Sequence, residues 1–178
     1  MITWGISANS HDAALAVFLD EKLAFASHSE RFSGIKNDRD LCKELVAHAK
    51  MKYGTPDKIV WYEKPFLKAS RLFLKGGYGN WNPKFDLNEV PRKNLKHHYS
   101  HAAAGYYTSN FYDAVIVVLD AIGEFNTSTI WTGKKESIKL KYKKNYPFSF
   151  GLFYSAFTQL IGLIPNQEEY IMMGMAAC

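Results

Sequence analysis

The residues with the clearest chemical potential lie in Lys96-His97-His98-Tyr99-Ser100-His101-Ala102, which runs on through AAAGYY. A helix starting there carries His97 and His101 four positions apart on one face. Two neutral imidazoles at that spacing are a ready pair of ligands for a divalent transition metal. A third ligand is then required, and Asp120 is the natural candidate. It ends the apolar run AVIVVLD, where a carboxylate leaves the core and faces a cleft. The same His spacing also arises by chance, with both rings satisfied by water or backbone.

A second candidate is His11-Asp12, in a turn before a buried strand. A loop histidine beside a carboxylate can act as a general base or hydrogen-bond donor near neutral pH. The bland alternative is an ordinary turn, with Asn9 and Asp12 as turn formers and His11 as an exposed neighbour. Gly123-Glu124 follows the second apolar run and could bring backbone N–H groups toward phosphate oxygens, although one glycine falls far short of a Gly-rich phosphate motif. Glu30, Arg31, Lys36 and Asp38 read as a solvated charged face. Cys42 has no base pattern around it and reads as structural.

Stepping outward from these residues, the pattern is one of short strands and helices. ITWGIS (2–7), AALAVFL (13–19) and LAFASHS (23–29) read as three strands, with Asp20-Glu21-Lys22 as the turn between the last two. Asp40 is the expected N-cap of a helix that presents Leu41, Leu45, Val46 and Ala49 and stops at Gly54. KIVWY (58–62) is a short buried strand, 66–74 is helical, and the Gly-, Asn- and Pro-rich stretch 76–91 is a loop. Within that loop Tyr78, Trp81 and Phe85 could stack on a sugar-like ring or pack the loop onto the body.

The second half repeats the opening. Strands at 114–119, 128–132 and 137–142 form a triple of almost the same length as the first, and each triple places a polar loop after its first strand. Helices at 150–162 and 168–177 follow. Two copies of β-β-β-helix imply a duplicated α/β architecture, divided into a first half at 1–112 and a second, incomplete half at 113–178. In actin/hexokinase-like proteins two such halves clamp a nucleotide, a likeness that rests on fold-level analogy.

Composition excludes several classes. Hydrophobic residues make up 47% of the 178, with 12 Phe, 11 Tyr and 4 Trp, which excludes a disordered chain. No apolar run reaches the ~20 residues a membrane helix needs, and residues 1–8 lack the pattern of a secretory signal. Two cysteines, Cys42 and Cys178, make no disulfide framework, so a reduced, cytoplasmic protein is expected. The net charge of +5 is matched by residues 134–144, which hold six Lys and one Glu, so the remainder is neutral. There Ile138, Leu140 and Tyr142 alternate with lysines, the pattern of a half-buried edge strand that discourages aggregation. A nucleic-acid partner would need basic and aromatic residues over a broader surface, and none is expected.

Taken together, NSHDAALAV (9–17), SERFSGIKND (29–38), HHYSHAAAGYYTS (97–109), VVLDAIGE (117–124), SFGLFYSAFTQLIGL (149–163) and EYIMMGMAA (169–177) resemble the N-terminal region of NodU/CmcH-type carbamoyltransferases. The resemblance implies a Kae1-like member of the actin/hexokinase-like superfamily. It implies ATP and carbamoyl phosphate as co-substrates, carbamoyladenylate as donor and a small-molecule hydroxyl as acceptor. The adenylate would be made by a C-terminal YrdC-like domain that these residues do not include. It further implies a divalent metal, often iron, held by His97, His101 and Asp120, with His11 as the catalytic histidine near the transferring carbamoyl group.

Two departures from the family pattern stand out. Ala121 replaces the first Gly of DGxGE, which restricts backbone access to a phosphate at Gly123 and Glu124. The motif MGMAA is cut off at Cys178, so the chain is expected to be the N-terminal part of a longer protein, incomplete in catalysis by itself. Two alternatives compete: a threonylcarbamoyl transferase acting on tRNA, which shares HxxxH, and a non-catalytic half that acts by associating with its complementary half. In either event the apolar run 114–119 should drive self-association, most simply to a homodimer, or capture of the downstream half.

Overall fold

The computed structural model describes residues 1–74, 87 and 89–177. These form two compact units, Met1–His97 and His98–Cys178, each considered by itself. The loop expected at 76–91 falls outside the described residues except for Leu87 and 89–91, and so do its three aromatic residues.

The first unit is built on β1 (Ile2–Ser7), β2 (Ala14–Leu19), β3 (Lys22–His28), β4 (Lys58–Trp61) and β5 (Arg92–Asn94), in the order β3-β2-β1-β4-β5. The first three strands form an antiparallel meander, while β4 pairs parallel to β1 and β5 parallel to β4. Asp20 and Glu21 both take positive φ, the backbone that a two-residue hairpin turn demands. Alternation sends Trp4, Ile6, Leu15, Val17, Ile59 and Trp61 into one core.

Among the described residues three helices belong here: α1 (Glu30–Ser33), α2 (Lys43–Tyr53) and α3 (Pro65–Leu74). Of these, α2 buries Leu45 and Ala49. It starts later than expected, because Leu41 is buried ahead of it and Cys42, not Asp40, is the N-cap residue. The Cys42 side chain makes no cap bond; its N–H donates instead to Ser29 Oγ at 3.1 Å. The Asp40 N–H turns back to Asp38 Oδ1. Gly54 ends α2 at φ 92° as expected, a conformation that favours glycine.

In the second unit α4 (His97–Thr108) is followed by β6 (Asp113–Gly123), β7 (Asn126–Lys134) and β8 (Ser137–Asn145), a separate antiparallel sheet in that order. Two helices close the unit, α5 (Phe150–Leu160) and α6 (Glu169–Met175). The polar loop expected at Asp120–Glu124 is instead a continuation of β6 as far as Gly123, with the turn at 124–125. Leu119 pairs with Ser128 and Gly123 with Asn126, so three residues of β6 oppose the single Thr127. This bulge keeps the strand going while re-aiming the side chains at 120–122.

Edge strand β8 carries the lysines, but Leu140 and Tyr142 are exposed and only Ile138 is partly buried. The half-buried expectation fails because no described helix lies over that end of the strand. Helix α4 packs on the sheet through Ala102, through Tyr99 against Trp131, and through Tyr106. A Cβ at Gly133 would lie 2.4 Å from the Tyr106 ring, so a glycine there is what lets the helix settle. The Tyr106 hydroxyl then donates to the carbonyls of Tyr112 and Lys135. The class is therefore α/β, with one mixed sheet and one antiparallel sheet.

Candidate metal site

Helix α4 begins at His97, as the spacing required, and His101 lies one turn on. The boundary between units falls after His97, but the helix is continuous, so both rings stay on one helical face. One ligand-capable atom from each of His97, His101 and Asp120 lies within 4.8 Å of the others. His101 is exposed, and His97 and Asp120 are partly buried. The site is therefore open on one side.

Asp120 is held from three directions. Its Oδ1 accepts the N–H of Ala121 at 2.7 Å. Its Oδ2 lies 3.8 Å from His98 Nε2. Its backbone is clamped by the start of α5: Ser149 Oγ sits 3.0 Å from the Asp120 carbonyl and 2.7 Å from that of Ala121. The same oxygen accepts the Leu152 N–H as N-cap. A Cβ on Gly151 would come within 2.6 Å of the Ala121 backbone, so only glycine permits this approach.

In the first unit His97 is flanked by a charged group that the sequence did not advertise. Glu63, only 4% exposed, lies with Oε2 3.8 Å from His97 Nδ1 and accepts from Lys68 Nζ at 2.9 Å. Burial pushes the Glu63 carboxyl up, but its interactions with His97, Lys68 and Tyr62 outweigh this and hold it below the ordinary carboxylate value. Lys68 also reaches the Asn9 carbonyl at 3.5 Å. Glu63 and His98 are the functional candidates that sequence reasoning missed. Neither belongs to a spacing pattern, and each matters only through tertiary neighbours.

His11 lies in the turn before β2. Its side chain is 80% exposed, and Nδ1 lies 2.9 Å from Asp12 Oδ2. The turn is anchored to the segment before α2: the Asn9 N–H donates to the Arg39 carbonyl, the Ala13 N–H to the Asp38 carbonyl, and Arg39 Nε to the Ser10 carbonyl. Gly123 is paired in the sheet opposite Asn126, and Glu124 is buried in the turn at φ 58°. No described helix is long and apolar enough to cross a membrane.

Two imidazoles and a carboxylate, gathered on a helix and a bulged strand of an α/β scaffold, make a cluster whose atoms could hold a metal ion. The chain belongs to the carbamoyltransferase N-terminus family, which matches residues 83–178. It is 30% identical over 207 aligned residues to the Synechocystis sp. protein named "Uncharacterized protein sll1178", covering 97% of this chain and 34% of that one. Two Methanocaldococcus jannaschii proteins are also similar. "Uncharacterized protein MJ1058" is 29% identical, over 63% of this chain and 21% of its own length. "Uncharacterized protein MJ1051" is 24% identical, over 95% and 32%. The chain thus spans about a third of the length of the first of these relatives.

Proposed function

We propose that this chain supplies the acceptor-side chemistry of an O-carbamoyltransferase of the NodU/CmcH kind. In that reading its two β-β-β units are halves of a duplicated actin/hexokinase-like domain, and a YrdC-like domain makes carbamoyladenylate from ATP and carbamoyl phosphate. The acceptor hydroxyl oxygen attacks the carbamoyl carbon, the bond from that carbon to the AMP phosphate oxygen breaks, and AMP departs. The hydroxyl proton goes to His11. Asp12 at Nδ1 favours the proton on that nitrogen, which leaves the Nε2 lone pair as base. Exposure of the ring suits a group that must meet a diffusing acceptor.

The observation that carries the reading is the convergence of His97, His101 and Asp120 within 4.8 Å. Two histidines, one carboxylate and open positions form a donor set that suits Fe(II) and similar divalent ions. Such an ion, when bound, stabilises negative charge developing on the donor. Glu63 beside His97 Nδ1 favours a proton there and makes Nε2 the nitrogen that would coordinate. A phosphate contact at Gly123 and Glu124 has less support, because Gly123 is engaged in the ladder and Glu124 is a buried acid.

Calorimetry with Fe(II) under anaerobic conditions tests the site: weak binding by the parent chain and none by His101→Ala are expected, and equal affinity of the two would sink the assignment. In the longer enzyme, His11→Ala should lower carbamoyl transfer by ~10²–10⁴-fold, the usual loss for an acid/base group. An unchanged rate returns His11 to a plain turn.

A further inference from the structure

Between the two histidines of the spacing motif lies a third, His98, which points the other way. It is 2% exposed, among the most deeply buried polar groups described. Its Nδ1 sits 2.9 Å from Thr129 Oγ1, and the same oxygen lies 2.8 Å from Trp131 Nε1. Its Nε2 faces Asp120 Oδ2 at 3.8 Å. All four residues belong to the second unit, and three of them are fully or nearly fully buried.

The direction of this chain of contacts follows from what each group can do. An indole N–H only donates, so Trp131 donates to Thr129 Oγ1. At 3.8 Å the contact between His98 Nε2 and Asp120 Oδ2 is longer than a hydrogen bond, but an ionised carboxylate at that range favours a proton on the nitrogen that faces it. A neutral imidazole has one N–H, which leaves Nδ1 as acceptor and makes the Thr129 hydroxyl its donor. The hydrogen bonds then run in one direction, Trp131 to Thr129 and Thr129 to His98, with the protonated His98 Nε2 turned toward Asp120.

We propose that His98 is a positioning residue for Asp120: the Trp131–Thr129 pair locks its Nε2–H tautomer, and that N–H, facing the carboxylate at 3.8 Å, biases the Asp120 side chain electrostatically toward His97 and His101. The inference deepens the metal-site reading and rests on it for the purpose of the orientation, though not for the tautomer. It also gives the doubled histidine a division of labour. His97 and His101 face the open site, and His98, rotated about 100° around the helix from His97, steers the third ligand from inside.

The test combines two readouts on the full 178-residue chain at one fixed pH. Long-range ¹⁵N–¹H correlation spectra of the metal-free protein report the His98 tautomer, and Co(II) titration followed by visible absorption reports affinity. The expected results are an Nε2–H tautomer, a 10–100-fold loss of Co(II) affinity in Thr129→Val, the range seen when a supporting hydrogen bond behind a metal ligand is removed, and near-parental affinity in Thr129→Ser, which restores the hydroxyl. An Nδ1–H tautomer in the parent overturns the proposal whatever the metal does. Parental affinity in Thr129→Val overturns the positioning role. A parent that shows the Nε2–H tautomer but binds no Co(II) supports the lock and sinks the metal reading instead.

Discussion

The two sheets begin alike and end differently. In the first, the inward faces of β1, β2 and β4 carry Trp4, Ile6, Leu15, Val17, Ile59 and Trp61, all buried, and the opposite face carries mostly small or polar residues (Thr3, Gly5, Ser7, Ala14 and Ala16), with Phe18 and Val60 there only partly buried. In the second, β6 turns Ile116 and Val118 toward α4, while Val115, Val117 and Leu119 on the other face are 70%, 58% and 59% exposed. The first sheet keeps its largest side chains on the buried face and only partly exposes Phe18 and Val60 on the other. The second has a continuous row of large apolar residues on a face that stays more than half exposed. The difference shows what a continuous β-branched run reports: the burial the strand is built for, whether or not the described residues provide it.

Substitutions can break this contrast. Leu45→Ala or Trp61→Ala in the first core should cost ~3–5 kcal/mol in urea unfolding, whereas Val117→Ala, measured at a dilution where the chain is monomeric, should stay within about 0.5 kcal/mol. Equal losses would mean that the β6 outer face is covered after all. A related measurement is sedimentation at micromolar concentration. The chain should self-associate through Val115, Val117 and Leu119, and Val117→Lys should shift it toward monomer; a parent that is already monomeric would show the bare face to be tolerated.

Charge burial sharpens the contrast further. Lys68→Met leaves Glu63 buried without its ammonium partner and should cost about 3 kcal/mol, a penalty with no counterpart on the exposed lysines of β8. Next comes Gly133→Ala, whose added methyl meets the Tyr106 ring. Overpacking of this kind costs ~1–3 kcal/mol, and the loss should be smaller in the double variant Gly133→Ala/Tyr106→Leu. The smallest expected effect is at Glu169 near the start of α6. Burial pushes its carboxyl up, but N–H groups around Asn166 and the Ser155 hydroxyl more than compensate, so it lies below its ordinary value of 4.5. Because the folded-state value is depressed, its stabilisation is present above about pH 4.5 and fades as pH falls through the lower folded value. Glu169→Gln should remove that slice of acid sensitivity, read as a flatter dependence of unfolding midpoint on pH below 4.5.

Much of the framework was legible because local patterns carry it. Period-two alternation placed β1, β2 and β4, the 3.6-residue spacing placed α2 and α4, and Gly54 marked its helix end. The errors share a physical cause. Asp40 lost the cap because Leu41 was needed in the core, which no local propensity reveals. Leu140 and Tyr142 looked half-buried because alternation says which face a residue lies on and nothing about what covers it. Polar residues end strands more often than they bend them, so the sequence at 120–124 reads as a loop where the strand in fact bulges. In the site, the ligand-spaced residues were visible and their supports were not. Glu63 lies more than 30 positions before His97, Thr129 lies 31 after His98, and only tertiary packing connects them.

The clamp of Ser149 and Gly151 on the Asp120–Ala121 backbone has a consequence for the order of assembly. The β6–β7 hairpin is closed by a two-residue turn and can form on the microsecond scale of isolated hairpins. The clamp joins residues 29 apart and waits for a helix to be both formed and docked. Refolding should therefore produce the hairpin before it produces a carboxylate aimed at the histidines. Under the metal reading proposed above, an ion supplied early would meet the pair on α4 alone, and its capture would mark the moment α5 arrives.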